Sequence, residues 1–187
     1  MPNLDILALP GSLRRGSYNA ALLRLAQQVA PDDVSVELYD YSDIPLYNGD
    51  LEVSAYPAAA TKLKERVRRA DGLLFGVPEY NYGMPGVLKN MIDWVSRPYG
   101  QSAWAGKPAA ILGAGGGLGT ARSQYQFRLI AHALQMRMVD RPEIFVANAA
   151  QKFDAELNLT DPVAKDLVAQ LMAALRDLAR DTKRAAA

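Results

Sequence analysis

Apolar positions along this chain repeat with two different periods, and the switches between them mark its elements. The apolar segment Leu4–Leu9 is too short for a stable helix and stops at Pro10-Gly11, so it predicts a buried strand. Leu22, Leu25, Ala26 and Val29 then recur at i, i+3, i+4 and i+7, one face of a helix, with Ser17 or Asn19 placed to cap its start. Val34 to Tyr39 alternates, through Val34, Val36 and Leu38, as a second strand. A polar and aromatic connection from Asp40 to Pro57 follows, longer than most links between elements. Residues 58–70, rich in Ala, Lys, Glu and Arg, predict a helix by propensity, and Gly72 to Val77 a third strand ending at Pro78. Val87, Leu88, Met91, Ile92 and Val95 share one helical face, and Pro108 to Leu112 reads as a fourth strand. Tyr125, Leu129, Ile130, Ala133 and Leu134 give another helix, Ile144 to Ala147 a fifth strand, and Val163 to Leu178 a last helix. Residues 182–187 are expected to be frayed or exposed.

Strand followed by helix, five times over, points to a parallel sheet covered on both faces, because parallel strands need crossovers. At about 150 residues per domain, 187 residues make a single domain, 1–187. Half of them are apolar, enough to fill a core without staples. There is no cysteine, which excludes disulfides, thiolate metal sites, CxxC redox pairs and a cysteine nucleophile. The single histidine, His132, excludes multi-histidine metal sites, so no metal is expected. A formal charge of +1 argues against a nucleic-acid partner or a polybasic membrane patch. With no basic leader and no apolar run near the ~20 residues that span a bilayer, a cytoplasmic protein is expected.

In open doubly wound sheets, ligands bind beyond the carboxyl ends of the strands, where strand order reverses. The loop after the first strand, Pro10 to Asn19, spaces Gly11 and Gly16 as in a Walker A loop but has Ser17-Tyr18 in place of Lys-Ser/Thr. What remains is Gly11, Ser12, Arg14, Ser17 and Asn19 ahead of a helix N-terminus, a cradle for one phosphate. An N-capped helix with solvated arginines is the plainer alternative. The loop after the third strand, Pro78-Glu79-Tyr80-Asn81-Tyr82-Gly83, offers flat apolar faces and backbone donors suited to a planar heteroaromatic ring, or else packs its tyrosines on the core. Gly113 to Gly119 contains no GxGxxG; Gly115, Gly116 and Gly117 would let a ring approach the backbone closely, or else form a flexible surface turn.

Two blocks, Gly11-Ser-Leu-Arg-Arg-Gly-Ser-Tyr-Asn19 and Pro78-Glu-Tyr-Asn-Tyr-Gly-Met-Pro-Gly-Val-Leu-Lys-Asn-Met-Ile-Asp-Trp94, resemble the NADPH-dependent FMN reductases, a family that includes bacterial chromate and quinone reductases. Ile44-Pro-Leu-Tyr47 and Gly106-Lys-Pro108 match the same pattern. The resemblance implies an α/β flavodoxin-like fold, a three-layer doubly wound sheet of five parallel strands in order 2-1-3-4-5. It implies that Ser12, Arg14, Ser17 and Asn19 bind the FMN phosphate. Pro78, Glu79, Tyr80, Asn81 and Tyr82 would line the isoalloxazine and ribityl chain, with the Gly113 to Gly119 loop over the pyrimidine edge. Arg122, Tyr125 and Glu143 match positions of subunit contact, implying a homodimer or homotetramer.

The implied activity passes a hydride from NAD(P)H through bound FMN to quinones, flavins, azo dyes or chromate, with no catalytic side chain because the cofactor carries the chemistry. One rival is a flavodoxin-like FMN electron carrier without NAD(P)H activity; such carriers are usually acidic, unlike this chain. A serine hydrolase built on Ser12 would need a base, and His132 lies mid-helix. Lys89 and Asp93, four apart, are expected to pair on a helix surface.

Overall fold

The alternation of side chains along the strands splits the core in two, one half on each face of a parallel sheet. The computed structural model describes residues 3–186. Strands β1 (Leu4–Pro10), β2 (Val34–Leu38), β3 (Gly72–Gly76) and β4 (Pro108–Ala114) pair in the order β2-β1-β3-β4. Leu4 lies opposite Val34, Ile6 opposite Gly72 and Leu73 opposite Ala109. Ile6, Ala8, Leu74, Ala110 and Leu112 meet helices α1 (Tyr18–Gln28) and α6 (Pro162–Ala186) on one face. Leu7, Leu9, Leu73, Phe75, Ala109 and Ile111 meet α3 (Ala58–Arg69), α4 (Gly86–Val95) and α5 (Ala121–Ala133) on the other. Strands covered on both sides read as near-continuous apolar runs, as β3 does.

The fifth position differs from the expectation. A single strand over Ile144–Ala147 is replaced by two residue pairs, β5 (Arg137–Met138) and β6 (Phe145–Val146), both parallel to β4. Met138 faces Ala109 and Phe145 faces Gly113, so the edge advances seven residues while β4 advances four. The three extra residues loop out around Arg141-Pro142, where proline has no N–H to give the ladder. Together β5 and β6 fill the place of the fifth strand, and the order 2-1-3-4-5 holds.

Two further elements depart from the pattern. The long connection contains a short helix, α2 (Gly49–Ser54), whose start is capped by the Asn48 carboxamide accepting from Asp50 N–H at 2.9 Å. The tail expected to be frayed or exposed is helical and, over residues 183–186, exposed: α6 runs to Ala186, and Ala187 lies outside the described residues. Arg180 pairs with Asp33, and Lys183 with Asp71 at 2.7 Å, which carries the helix across the amino ends of the sheet.

Candidate functional site

The chain leaves β1 toward one face of the sheet, through α1, and leaves β3 toward the other, through α4. A cleft of about 440 Å3 opens at that divergence, at the carboxyl ends of the strands. Arg14, Ser17, Tyr18 and Asn19 form one wall, Pro78, Glu79 and Tyr80 another, and Ala114, Gly115 and Gly116 a third. The turn Asn148–Gln151, after β6, completes it.

The α1 wall is prepared for an anion. Ser17 caps the helix, its hydroxyl accepting from Ala20 N–H at 3.2 Å. That leaves the amides of Tyr18 and Asn19, in the first turn, without intrahelical partners. Arg14 is exposed and has no carboxylate partner among the described residues, so its charge is free for a ligand. Ser12 is buried, its hydroxyl 3.0 Å from the Tyr80 hydroxyl; it faces a second hollow of about 320 Å3, shared with Arg14 and Asp40, rather than the main cleft. Its partner is a phenol, not a base, which gives a serine nucleophile nothing to work with. Bonds from Ser42 hold the Asp40 carboxyl below its usual range, so this second hollow holds a carboxylate as well as the Arg14 cation. Gly11 lies behind the cleft, where a Cβ would stand 2.5 Å from the Gly76 carbonyl; only glycine lets the loop cross β3 so closely. Asn19 is 4% exposed, and its amide is fully occupied: Oδ1 accepts from Ala114 N–H at 3.0 Å and Nδ2 donates to the Ala114 carbonyl at 2.9 Å.

The second wall is held by the start of α5. Tyr80 and Gly83 exchange two backbone bonds of 3.0 Å around Asn81 (φ 49°) and Tyr82 (φ 66°), the two left-handed residues of a type I′ turn. That conformation is costly for a tyrosine, and the Arg122 guanidinium lies 3.7 Å above the Tyr82 ring. The Glu79 carboxylate accepts from the backbone of Arg122 at 3.1 Å and Ser123 at 3.3 Å, and from the Arg122 side chain at 2.6 Å. Thr120, at the cap position, makes no such bond, so Glu79 caps α5 from outside the helix. Expected to line a cofactor, Glu79 lines the cleft, and its carboxylate also fixes the loop.

The third wall is backbone. Carbonyls of Gly115 and Gly116 accept from Ala149 and Asn148 N–H at 2.9 and 3.0 Å, joining this loop to the Asn148–Gln151 turn. Added Cβ atoms at Gly116 and Gly117 would meet nothing within 4 Å, so a flat ligand has open access to the main chain there. Gly117 belongs with Asn81, Tyr82, Leu118 and Arg122 to an adjoining hollow of about 340 Å3. Residues 148–151 were absent from the expected site. Their signal was positional, since they follow the fifth strand at the same end of the sheet.

Of the remaining expectations, Lys89 and Asp93 pair at 2.7 Å on α4. Glu143 bonds Arg141 at 2.9 Å, and Tyr125 is exposed near Phe145. No cluster of three or more potential metal ligands occurs among the described residues, and none of their helices is long and apolar enough to cross a membrane. The arrangement suits a flat ligand with an anionic tail, held between α1 and two loops.

Known proteins share this design. A family model described as NADPH-dependent FMN reductase matches residues 4–151. An NAD(P)H-dependent FMN reductase of Pseudomonas aeruginosa is 47% identical over 175 residues, covering 93% of this chain and 94% of that protein. An NADPH:quinone oxidoreductase of Arabidopsis thaliana is 42% identical over 182 residues, 94% of this chain and 91% of its own. Among solved structures, a flavoenzyme NAD(P)H:(acceptor) oxidoreductase from Paracoccus denitrificans superposes with a TM-score of 0.86 at 33% identity, covering 96% of this chain and 98% of its own.

Proposed function

The chain belongs to the NADPH-dependent FMN reductase family, and from that premise we propose that its cleft binds FMN and serves electron transfer from NAD(P)H to quinones and other small acceptors. One observation carries the reading: an anion-ready helix start and a slot bounded by open glycine backbone share a single cleft of about 440 Å3, within the range of cofactor sites. When bound, FMN supplies the hydride-accepting and hydride-donating chemistry that the side chains lack. Arg14, with the amides of Tyr18 and Asn19, holds the phosphate, and Ser17 orders that turn. Pro78, Glu79 and Tyr80 set one side of the ring slot, and Gly115 and Gly116 bring main chain to the other. Asn81, Tyr82 and Gly117 border the adjoining hollow, where a planar acceptor or the nicotinamide can reach the ring face. Ser12 acts through Tyr80, and Gly11 through the path of the loop.

The protein works as a homodimer or homotetramer in this reading, supported by exposed apolar side chains: Tyr82 and Leu118 at the hollow, and Tyr125 and Leu129 on α5. Its nicotinamide donor is a cytoplasmic reductant, and we place the protein there. Anaerobic addition of NAD(P)H to FMN-loaded protein should bleach its yellow colour, and a quinone should restore it. Protein that takes up no FMN would refute the reading. FMN that binds but resists NAD(P)H would leave only an electron carrier.

A further inference from the structure

We propose that Asn19 is a positioning residue that replaces a missing rung of the sheet and so sets the gap between the phosphate end and the ring end of the cleft; the inference rests on the flavin reading above. The argument begins with the β3–β4 ladder. Val77 N–H donates to the Leu112 carbonyl at 2.8 Å, the last regular bond between these strands. In a continuing parallel ladder, Ala114 N–H would next donate to the Val77 carbonyl, and the Ala114 carbonyl would accept from residue 79. Neither bond forms, because the chain turns away at Pro78 to open the cleft.

Ala114 is 4% exposed, so both of its backbone groups need partners. The Asn19 carboxamide, itself 4% exposed, supplies an acceptor to the N–H at 3.0 Å and a donor to the carbonyl at 2.9 Å. A side-chain amide thus stands in for a peptide group, 95 residues away in sequence. Asn has this pair of atoms at this reach, and otherwise only a protonated Asp does. Glutamine is one methylene longer, and Ser and Ala lack the pair. Asn19 lies in the first turn of α1, beside the amides that face the anion, and Ala114 leads into Gly115 and Gly116. The clip therefore ties the two ends of the ligand site together.

A phosphate ligand and a clip differ in what they do to a flavin without a phosphate. Dissociation constants for FMN and riboflavin, measured by quenching of flavin fluorescence, should both rise about tenfold or more in Asn19→Ala, with their ratio within about twofold of the parent's. Loss of FMN affinity alone would make Asn19 a phosphate contact and overturn the proposal, as would unchanged affinity for both. Asn19→Asp adds a pH readout, since a protonated carboxyl again offers one donor and one acceptor while a carboxylate offers none to the Ala114 carbonyl. Riboflavin affinity of this variant should recover as pH falls from about 8 to 5, the aspartate being neutral at the acid end because burial raises it from about 3.9. Absence of recovery overturns the clip. If Asn19→Ala does not fold, the acid form of Asn19→Asp carries the test. Parent protein that binds neither flavin removes the functional reading and the clip with it, whereas parent protein that binds FMN normally isolates a failure to the clip alone.

Discussion

Replacing Glu79 with alanine should destabilise the protein even when no ligand is present. The side chain is 8% exposed; Oε2 accepts two backbone bonds at the start of α5, and Oε1 takes both the Nε and an Nη of Arg122. Loss of a helix cap costs about 0.5–2 kcal/mol. Arg122 is 39% exposed, so solvent screens the ion pair, and its share is about 1 kcal/mol or less. The sum is about 2 kcal/mol, which in a chain of this size lowers the melting temperature by roughly 4–8 °C. Trp94 and Trp104 are fully buried, so urea unfolding of the apo-protein can be followed by their fluorescence. Arg122→Ala and the double variant complete a cycle whose coupling energy should be about 1 kcal/mol. A loss below about 0.5 kcal/mol in apo Glu79→Ala would show that this carboxylate does not hold α5, and the account of the second wall would fall with it.

Two other outcomes follow from the site and its surroundings. Arg14→Ala should weaken FMN about 10- to 100-fold, the loss of one charge-assisted bond, while leaving the unfolding midpoint unchanged; equal affinity by equilibrium dialysis would remove Arg14 from the phosphate end. Burial, with Asp40 adding to it, holds the Tyr41 phenol protonated well above its ordinary value, and the hydroxyl donates to the Pro10 carbonyl. Because the folded value lies above the unfolded one, this stabilisation is complete below about pH 10 and declines as pH rises further, when the unfolded chain ionises first. Tyr41→Phe should therefore flatten the alkaline loss of stability between about pH 9 and 11, and urea midpoints that fall as steeply as the parent's would refute it.

Much of the sheet was legible because period and length identify buried strands directly. The segments from Leu4, Val34 and Gly72 each form one unbroken run in regular register with their neighbours. The edge was not, because splitting it depends on a register mismatch with β4 that no window around Ile144 contains. The site was legible as loops rather than as contacts. Glu79, Asn19 and Ser12 stand where a ligand-binding pattern puts them, yet their partners are Arg122, Ala114 and Tyr80, which lie far off in sequence. Short polar side chains serve a ligand or the protein's own backbone equally well, and only packing decides. Asn148–Gln151 escaped notice for a different reason, since its contribution lies in its place at the end of β6 and in main-chain bonds to Gly115 and Gly116.

The interrupted edge also bears on strand pairing with any other chain. β5 and β6 each keep only two residues in ladder register, with the Arg141-Pro142 loop between them. A strand from another chain would find no straight row of donors and acceptors on which to dock, and an arginine and a proline standing in its path. The irregularity that spoils the fifth strand as a strand thus protects that rim of the sheet from templating fibrous growth.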